Sequence, residues 1–150
     1  MKVVINNCFG GFSLSPLAIK ELAKRKGKEC YFFSMDYKTD EYTPLTLKEA
    51  MKSFIFFAYS VPNPKDYRIS EPDEDGLYKG ANERAEKISL ESRPEDRGDK
   101  DLVAVVEMLG EKANGGCAEL KVVKIPDGVD YEISEYDGIE HIAEKHRTWD

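Results

Sequence analysis

The sequence has few cysteines and histidines, and it has no long apolar run. Its three cysteines (Cys8, Cys30, Cys117) are scattered through 150 residues without a C-x-x-C pair, and there are only two histidines. Such a set is typical of a reducing cytoplasm and indicates neither a disulfide framework nor a redox or zinc pair. The longest apolar run, residues 54–59, is far too short to cross a bilayer.

Acidic residues outnumber basic ones, 29 to 22. The formal net charge is -7, although 34% of the residues are charged. Binding to nucleic acid phosphates needs a basic face, so the composition argues against nucleic acid as a partner. The chain opens with Lys2 and a strand-like segment rather than a signal peptide, so we expect a cytoplasmic protein. With 41% hydrophobic residues, it can bury the core of one ordinary domain.

The opening segment predicts a strand, a turn and a helix. Three β-branched residues in succession favour a strand over Lys2–Asn6. Gly10 and Gly11 permit a tight turn with positive φ. Ser15 is a favourable N-cap, and Pro16 suits the first helical position because its missing N–H needs no partner there.

The remaining pattern predicts an α+β fold, a single domain over residues 1–150. We expect a mixed, largely antiparallel sheet of about five or six strands with two principal helices packed on it. Further strands are predicted at 30–37, 54–60 (as a central strand) and 119–125. Further helices are predicted at 47–52, where Thr46 and Glu49 have the spacing of a capping box, and at 100–113, with Asp99 as N-cap. Residues 62–98 are rich in proline, glycine and charge, which indicates a polar surface excursion, a lid or a partly mobile loop. A weak helix near residues 81–87 is an alternative.

The C-terminal part predicts a β-hairpin. Asp137-Gly138 is the two-residue signal of a type I′ turn between strands at 131–136 and 139–149. That register places Ile133 opposite Ile142 and Ser134 opposite His141. The hairpin is preferred to a C-terminal helix. Its glutamates are expected to form a solvated face (Glu132, Glu135, Glu140, Glu144).

Two blocks of the sequence carry a resemblance. The first reads VINNCFGGFSLS over residues 4–15, and the second contains LGEKANG, AELKVV, IPDG, YDGIE and EKHRTW between residues 109 and 149. Together they resemble a widespread family of small hypothetical proteins of tailed bacteriophages and prophages. The match covers both ends of the chain but not residues 36–99. It implies expression in a bacterial cytoplasm during infection or lysogeny, and it implies no activity and no catalytic residues.

The turn before the first helix is the best candidate site. Free N–H groups at a helix start favour an anion, although the segment is neither a Walker loop nor a G-x-G-x-x-G motif. A tight turn without a ligand is the alternative. The polar and glycine positions that a nucleotide or sugar can use are Asn6, Asn7, Cys8, Gly10, Gly11 and Ser13.

The chain ends with a second candidate set. His146 and Arg147 stand beside Trp149, a combination that can clamp a phosphate and stack a base. The alternative is that Trp149 anchors the last strand by packing. We expect the C-terminal hairpin to provide the facing wall of the site.

Catalysis and metal binding have weaker support. Cys8 near a helix start can act as a nucleophile with His141 or His146, but such a cysteine is more often a core residue. The two histidines are five residues apart, so they cannot easily be neighbouring ligands of one metal. No catalytic residue, metal or cofactor is predicted.

The resemblance implies a phage-encoded protein, and the residue pattern favours a non-enzymatic binder. It would sequester a small anionic, nucleotide-like ligand to counter host defence. One alternative is an inhibitor that binds a host or defence protein through an acidic face, such as residues 62–98. Another is a small hydrolase or transferase using Cys8 or a histidine. Association with a second copy of the chain stays open, and no membrane partner is expected.

Overall fold

The computed structural model describes residues 1–145 and confirms the α+β class. The described part contains seven strands, four α-helices and two short 3-10 helices. In chain order they are β1 (Lys2–Asn6), α1 (Pro16–Arg25), β2 (Tyr31–Asp36), β3 (Glu41–Leu45), α2 (Leu47–Lys52), β4 (Phe57–Tyr59), a 3-10 helix (Pro64–Tyr67), α3 (Lys79–Ile88), α4 (Lys100–Leu109), a 3-10 helix (Gly110–Ala113), β5 (Leu120–Lys124), β6 (Tyr131–Tyr136) and β7 (Ile139–Glu144). No helix within residues 1–145 is long and apolar enough to cross a membrane.

The strands pair antiparallel, as predicted, but they form three sheets rather than one. The described sheets have the orders β1-β5, β3-β2-β4 and β6-β7. On the edge of β1 that faces away from β5, the N–H groups of Val4 and Asn6 are bound to groups outside any strand pairing of β1. The N–H of Val4 donates to the carbonyl of Arg97 (2.9 Å), and that of Asn6 donates to the Glu140 carboxylate (2.8 Å).

The chain divides into two compact units. Unit 1 comprises Met1–Ala18 together with the described residues from Ser92 onward, and unit 2 comprises Ile19–Glu91. The division falls inside the 62–98 segment, which contains the first 3-10 helix and α3. The single domain and the mobility of that segment stay predictions.

Unit 1 has its core between α4 and the β1-β5 pair. The buried face of α4 is Leu102, Val103, Val105 and Val106, and β1 is buried from Val3 to Asn6. Asp99 is the predicted N-cap, since its carboxylate accepts from the N–H of Leu102 (3.2 Å). The helix ends at Leu109 rather than at Ala113, because Gly110 takes a positive φ of 57° and the chain tightens into a 3-10 turn. The N-cap of α1 is also confirmed, because Ser15 Oγ accepts from the N–H of Ala18 (3.2 Å).

Unit 2 is built on β2, which lies between β3 and β4. Its buried cluster is Phe33, Tyr59 and Ile88. The central strand predicted at 54–60 is wrong: β4 has only three residues at the sheet edge, and Phe54 and Ile55 are 85% and 61% exposed. Strand β3 contains Pro44, which is compatible with an edge strand because proline has no N–H to donate. The proline interrupts the alternating strand pattern, so the sequence does not predict β3.

The N-terminal cap of α2 offers a first test. Thr46 Oγ1 accepts from the Glu49 N–H (3.1 Å), and the Glu49 carboxylate accepts from the Thr46 N–H (3.0 Å), which is a capping box. We expect Thr46→Ala to lower the free energy of unfolding by about 1 kcal/mol in urea titrations, whereas the exposed Thr39→Ala leaves it nearly unchanged. Equal effects of the two substitutions would contradict the assignment.

The stability that this capping box contributes depends on pH. The hydrogen bonds from the Thr46 N–H and then from its side chain hold the pKa of Glu49 below its usual value. A carboxyl with a lowered pKa stabilises the fold above its usual pKa, and this stabilisation is lost as the pH falls through the lowered value. The destabilisation caused by Glu49→Ala, which removes this carboxylate, is therefore expected to shrink in that acidic range.

Candidate functional site

Asn6 fixes the turn that follows β1. Its side chain is fully buried. Nδ2 donates to the carbonyls of Cys8 and Gly138 (both 2.7 Å), and Oδ1 accepts from the Glu119 N–H (2.9 Å). Both donor hydrogens of the amide are therefore occupied within the protein. Asn6 holds the turn, the hairpin and the start of β5 together, and its role is to position them.

The tip of the C-terminal hairpin lies against the Gly10-Gly11 turn. Asp137 and Gly138 have positive φ values of 49° and 92°, the type I′ pattern that the sequence predicts. The predicted register is confirmed, with Ile133 opposite Ile142 and Ser134 opposite His141. The Gly10 N–H donates to the Asp137 carbonyl (3.2 Å), so the hairpin occupies one of the N–H groups considered for an anion.

A buried ion pair lies beneath this contact, and no local sequence pattern predicts it. Glu140 Oε1 accepts from Arg97 Nη1 (2.7 Å) as well as from the Asn6 N–H, and the two side chains are only 9% and 13% exposed. The Arg97 guanidinium also lies 3.6 Å from the centroid of the Phe12 ring. The solvated face expected for the hairpin glutamates is therefore wrong for Glu140, because β7 turns it towards Arg97 and β1.

The side chain of Arg93 lies beside the glycine turn. The Arg93 guanidinium lies so close to Gly11 that a Cβ there would be 3.2 Å from Nη2. Arg93 is exposed and makes no hydrogen bond or ion pair with any residue from 1 to 145. Phe9 is 60% exposed. Beside Gly10, a Cβ would lie 2.6 Å from the Cβ of Cys117. We call this surface the Gly-turn face (Phe9, Gly10, Gly11, Arg93, Cys117).

The other predicted site residues have separate positions. Asn7 is exposed and Cys8 half-buried, whereas Ser13 is half-buried against Gly115. His141 is exposed on β7, and in the described chain no hydrogen bond joins it to Cys8. His146, Arg147 and Trp149 lie outside the described residues. Over residues 1–145, no group of three or more His, Cys, Asp or Glu side chains is arranged to hold a metal ion.

Comparison with known proteins finds no matching family model, no matching curated protein and no matching solved structure.

Proposed function

We propose that this chain is a phage- or prophage-encoded cytoplasmic accessory protein that sequesters a small anionic, nucleotide-like ligand and catalyses no reaction. The phage context and the role against host defence rest on the sequence resemblance. The observation that carries the binding proposal is the Arg93 guanidinium, exposed beside Gly11 and without a partner among the described residues.

The chemistry of the Gly-turn face suits such a ligand. A guanidinium is planar and can bind a phosphate through two parallel hydrogen bonds. Because Gly11 has no side chain, the guanidinium can lie close to the turn without a clash. The exposed Phe9 ring provides a surface on which a base can stack. The anion contact is thus assigned to Arg93 rather than to the Gly10 N–H, which the hairpin occupies.

Removal of this cation tests the proposal. A panel of cyclic and linear nucleotides is titrated into the protein by calorimetry at fixed salt. For any ligand that binds, Arg93→Gln should raise Kd roughly ten- to a hundredfold, as expected for a hydrogen bond to a charged group worth about 1.5 to 3 kcal/mol. Lys38→Gln, an equal change of charge at an exposed position of unit 2, should leave Kd nearly unchanged.

Two results would reject the proposal. The first is the absence of both heat and thermal shift for every nucleotide in the panel. The second is an equal loss of affinity in Arg93→Gln and Lys38→Gln, because the ligand would then respond to total charge and not to this face.

A protein partner is the second candidate function. Phe54 and Ile55 are adjacent, large and apolar, yet 85% and 61% exposed, which is typical of a contact surface for another protein. Pull-down from host lysate separates the two functions. A stoichiometric protein partner favours inhibition of a host protein, whereas nucleobase absorbance released from the purified protein by heat favours sequestration.

A further inference from the structure

Unit 2 contains a cavity that belongs to neither proposed surface. Its volume is ≈ 330 Å³, within the range of small-molecule sites. Phe32 and Leu45, which face each other across β2 and β3, line it together with Leu47 at the start of α2. Pro44 and Pro62 add rigid apolar surface. The lining is thus mainly apolar and suits a flat hydrophobic body.

Three lining residues carry polar side-chain groups: Lys20, Cys30 and Tyr31, whose hydroxyl donates to the Glu29 carboxylate (2.8 Å). Lys20 of α1 is exposed and forms no hydrogen bond or ion pair with residues 1–145, and it is the one charged side chain among the lining residues of the described chain. Cys30 lies just before β2. Burial raises the pKa of the Cys30 thiol to about 11, against the opposing effect of the Lys20 charge. The thiol is therefore neutral at neutral pH and leaves the lysine charge uncompensated.

We propose that this cavity binds a small aromatic carboxylate, with its ring against Phe32, Leu45 and Leu47 and its carboxylate on Lys20 Nζ. An apolar cavity with a single unpaired cation at its wall is complementary to a ligand with an apolar body and one negative charge. The site lies wholly within Ile19–Glu91, so it is independent of the Gly-turn face and of the function proposed for it.

The charge requirement is tested with a pair of ligands of one shape. Naphthoate carries the carboxylate, and naphthamide is its neutral counterpart. Calorimetry on the full chain should give naphthoate an affinity about two- to fivefold higher, the range expected for an exposed ion pair. Lys20→Gln should abolish this difference, whereas Lys24→Gln, one turn further along α1 and outside the lining, should preserve it. A lack of binding by both ligands, or equal effects of the two substitutions, would overturn the proposal.

The position of the ligand is tested through the cysteines. Saturating naphthoate should slow the reaction of Cys30 with N-ethylmaleimide, read by peptide mass spectrometry, because Cys30 lines the cavity. Lys20→Gln should weaken this protection at a fixed naphthoate concentration, whereas Lys24→Gln, outside the lining, should preserve it and serves as the control. Unchanged labelling of Cys30, or equal protection of Cys30 in the two variants, would place naphthoate elsewhere and overturn the assignment.

Discussion

Replacing Glu140 by alanine is expected to lower the free energy of unfolding by about 3 to 5 kcal/mol. The substitution leaves the Arg97 guanidinium, only 13% exposed, without its counter-ion, and it removes the acceptor of the Asn6 N–H. An uncompensated buried charge costs far more than the pair itself contributes to stability, because most of the cost is desolvation of the remaining group. Urea denaturation followed by circular dichroism measures the change.

Two further variants separate this effect from simple loss of an ion pair. Glu107→Ala removes an exposed ion pair, in which Glu107 Oε1 lies 2.9 Å from Lys2 Nζ and the two side chains are 44% and 49% exposed. This substitution should lower the free energy of unfolding by less than about 1 kcal/mol. The double substitution Arg97→Met with Glu140→Leu should recover much of the loss, because no buried charge remains. If Glu140→Ala cost no more than Glu107→Ala, the pair would not be buried as described.

Gly138→Ala is expected to destabilise the fold by about 2 to 5 kcal/mol. Its φ of 92° disfavours any residue with a side chain. In addition, a Cβ would lie 2.5 Å from the backbone nitrogen of Gly10 and would also clash with that of Gly11. Since both neighbours are backbone atoms, they cannot rotate away, and the hairpin tip has to separate from the turn.

Gly128 provides the matched control. Its φ of 79° is similarly positive, but a Cβ there would meet no atom within 4 Å. Gly128→Ala should therefore show only the conformational part, about 1 to 2 kcal/mol. Hydrogen exchange of the Gly10 amide should accelerate in Gly138→Ala alone, because that amide is bonded to the hairpin tip. Equal costs and equal exchange in both variants would refute the close contact.

The sequence predicts those features whose signals lie within a few residues of each other. The caps at Ser15, Thr46 and Asp99 are of this kind, as is the hairpin register around Asp137-Gly138. In each case the donor and acceptor are close along the chain, so residue type alone defines the geometry.

Features that depend on distant partners could not be predicted. Glu140 resembles the other glutamates of the hairpin until Arg97, 43 positions away, and the Asn6 N–H, 134 positions away, are placed beside it. The candidate site follows the same rule. The position of the glycine turn is visible in the sequence, but the bond between Gly10 and Asp137 and the placement of Arg93 against Gly11 depend on tertiary contacts.

The carboxylate of Glu140 is also expected to disfavour aggregation through β1. The strand carries three consecutive β-branched residues (Val3, Val4, Ile5), a side-chain type of high β-propensity that is characteristic of segments that recruit other chains into cross-β stacks. Such recruitment needs a row of free amides along one edge. Here β5 covers one edge, while a loop carbonyl and the Glu140 side chain bind the outward amides of Val4 and Asn6 on the other. A single acidic side chain thus binds one of the amides that an added strand would need for an intermolecular β-sheet.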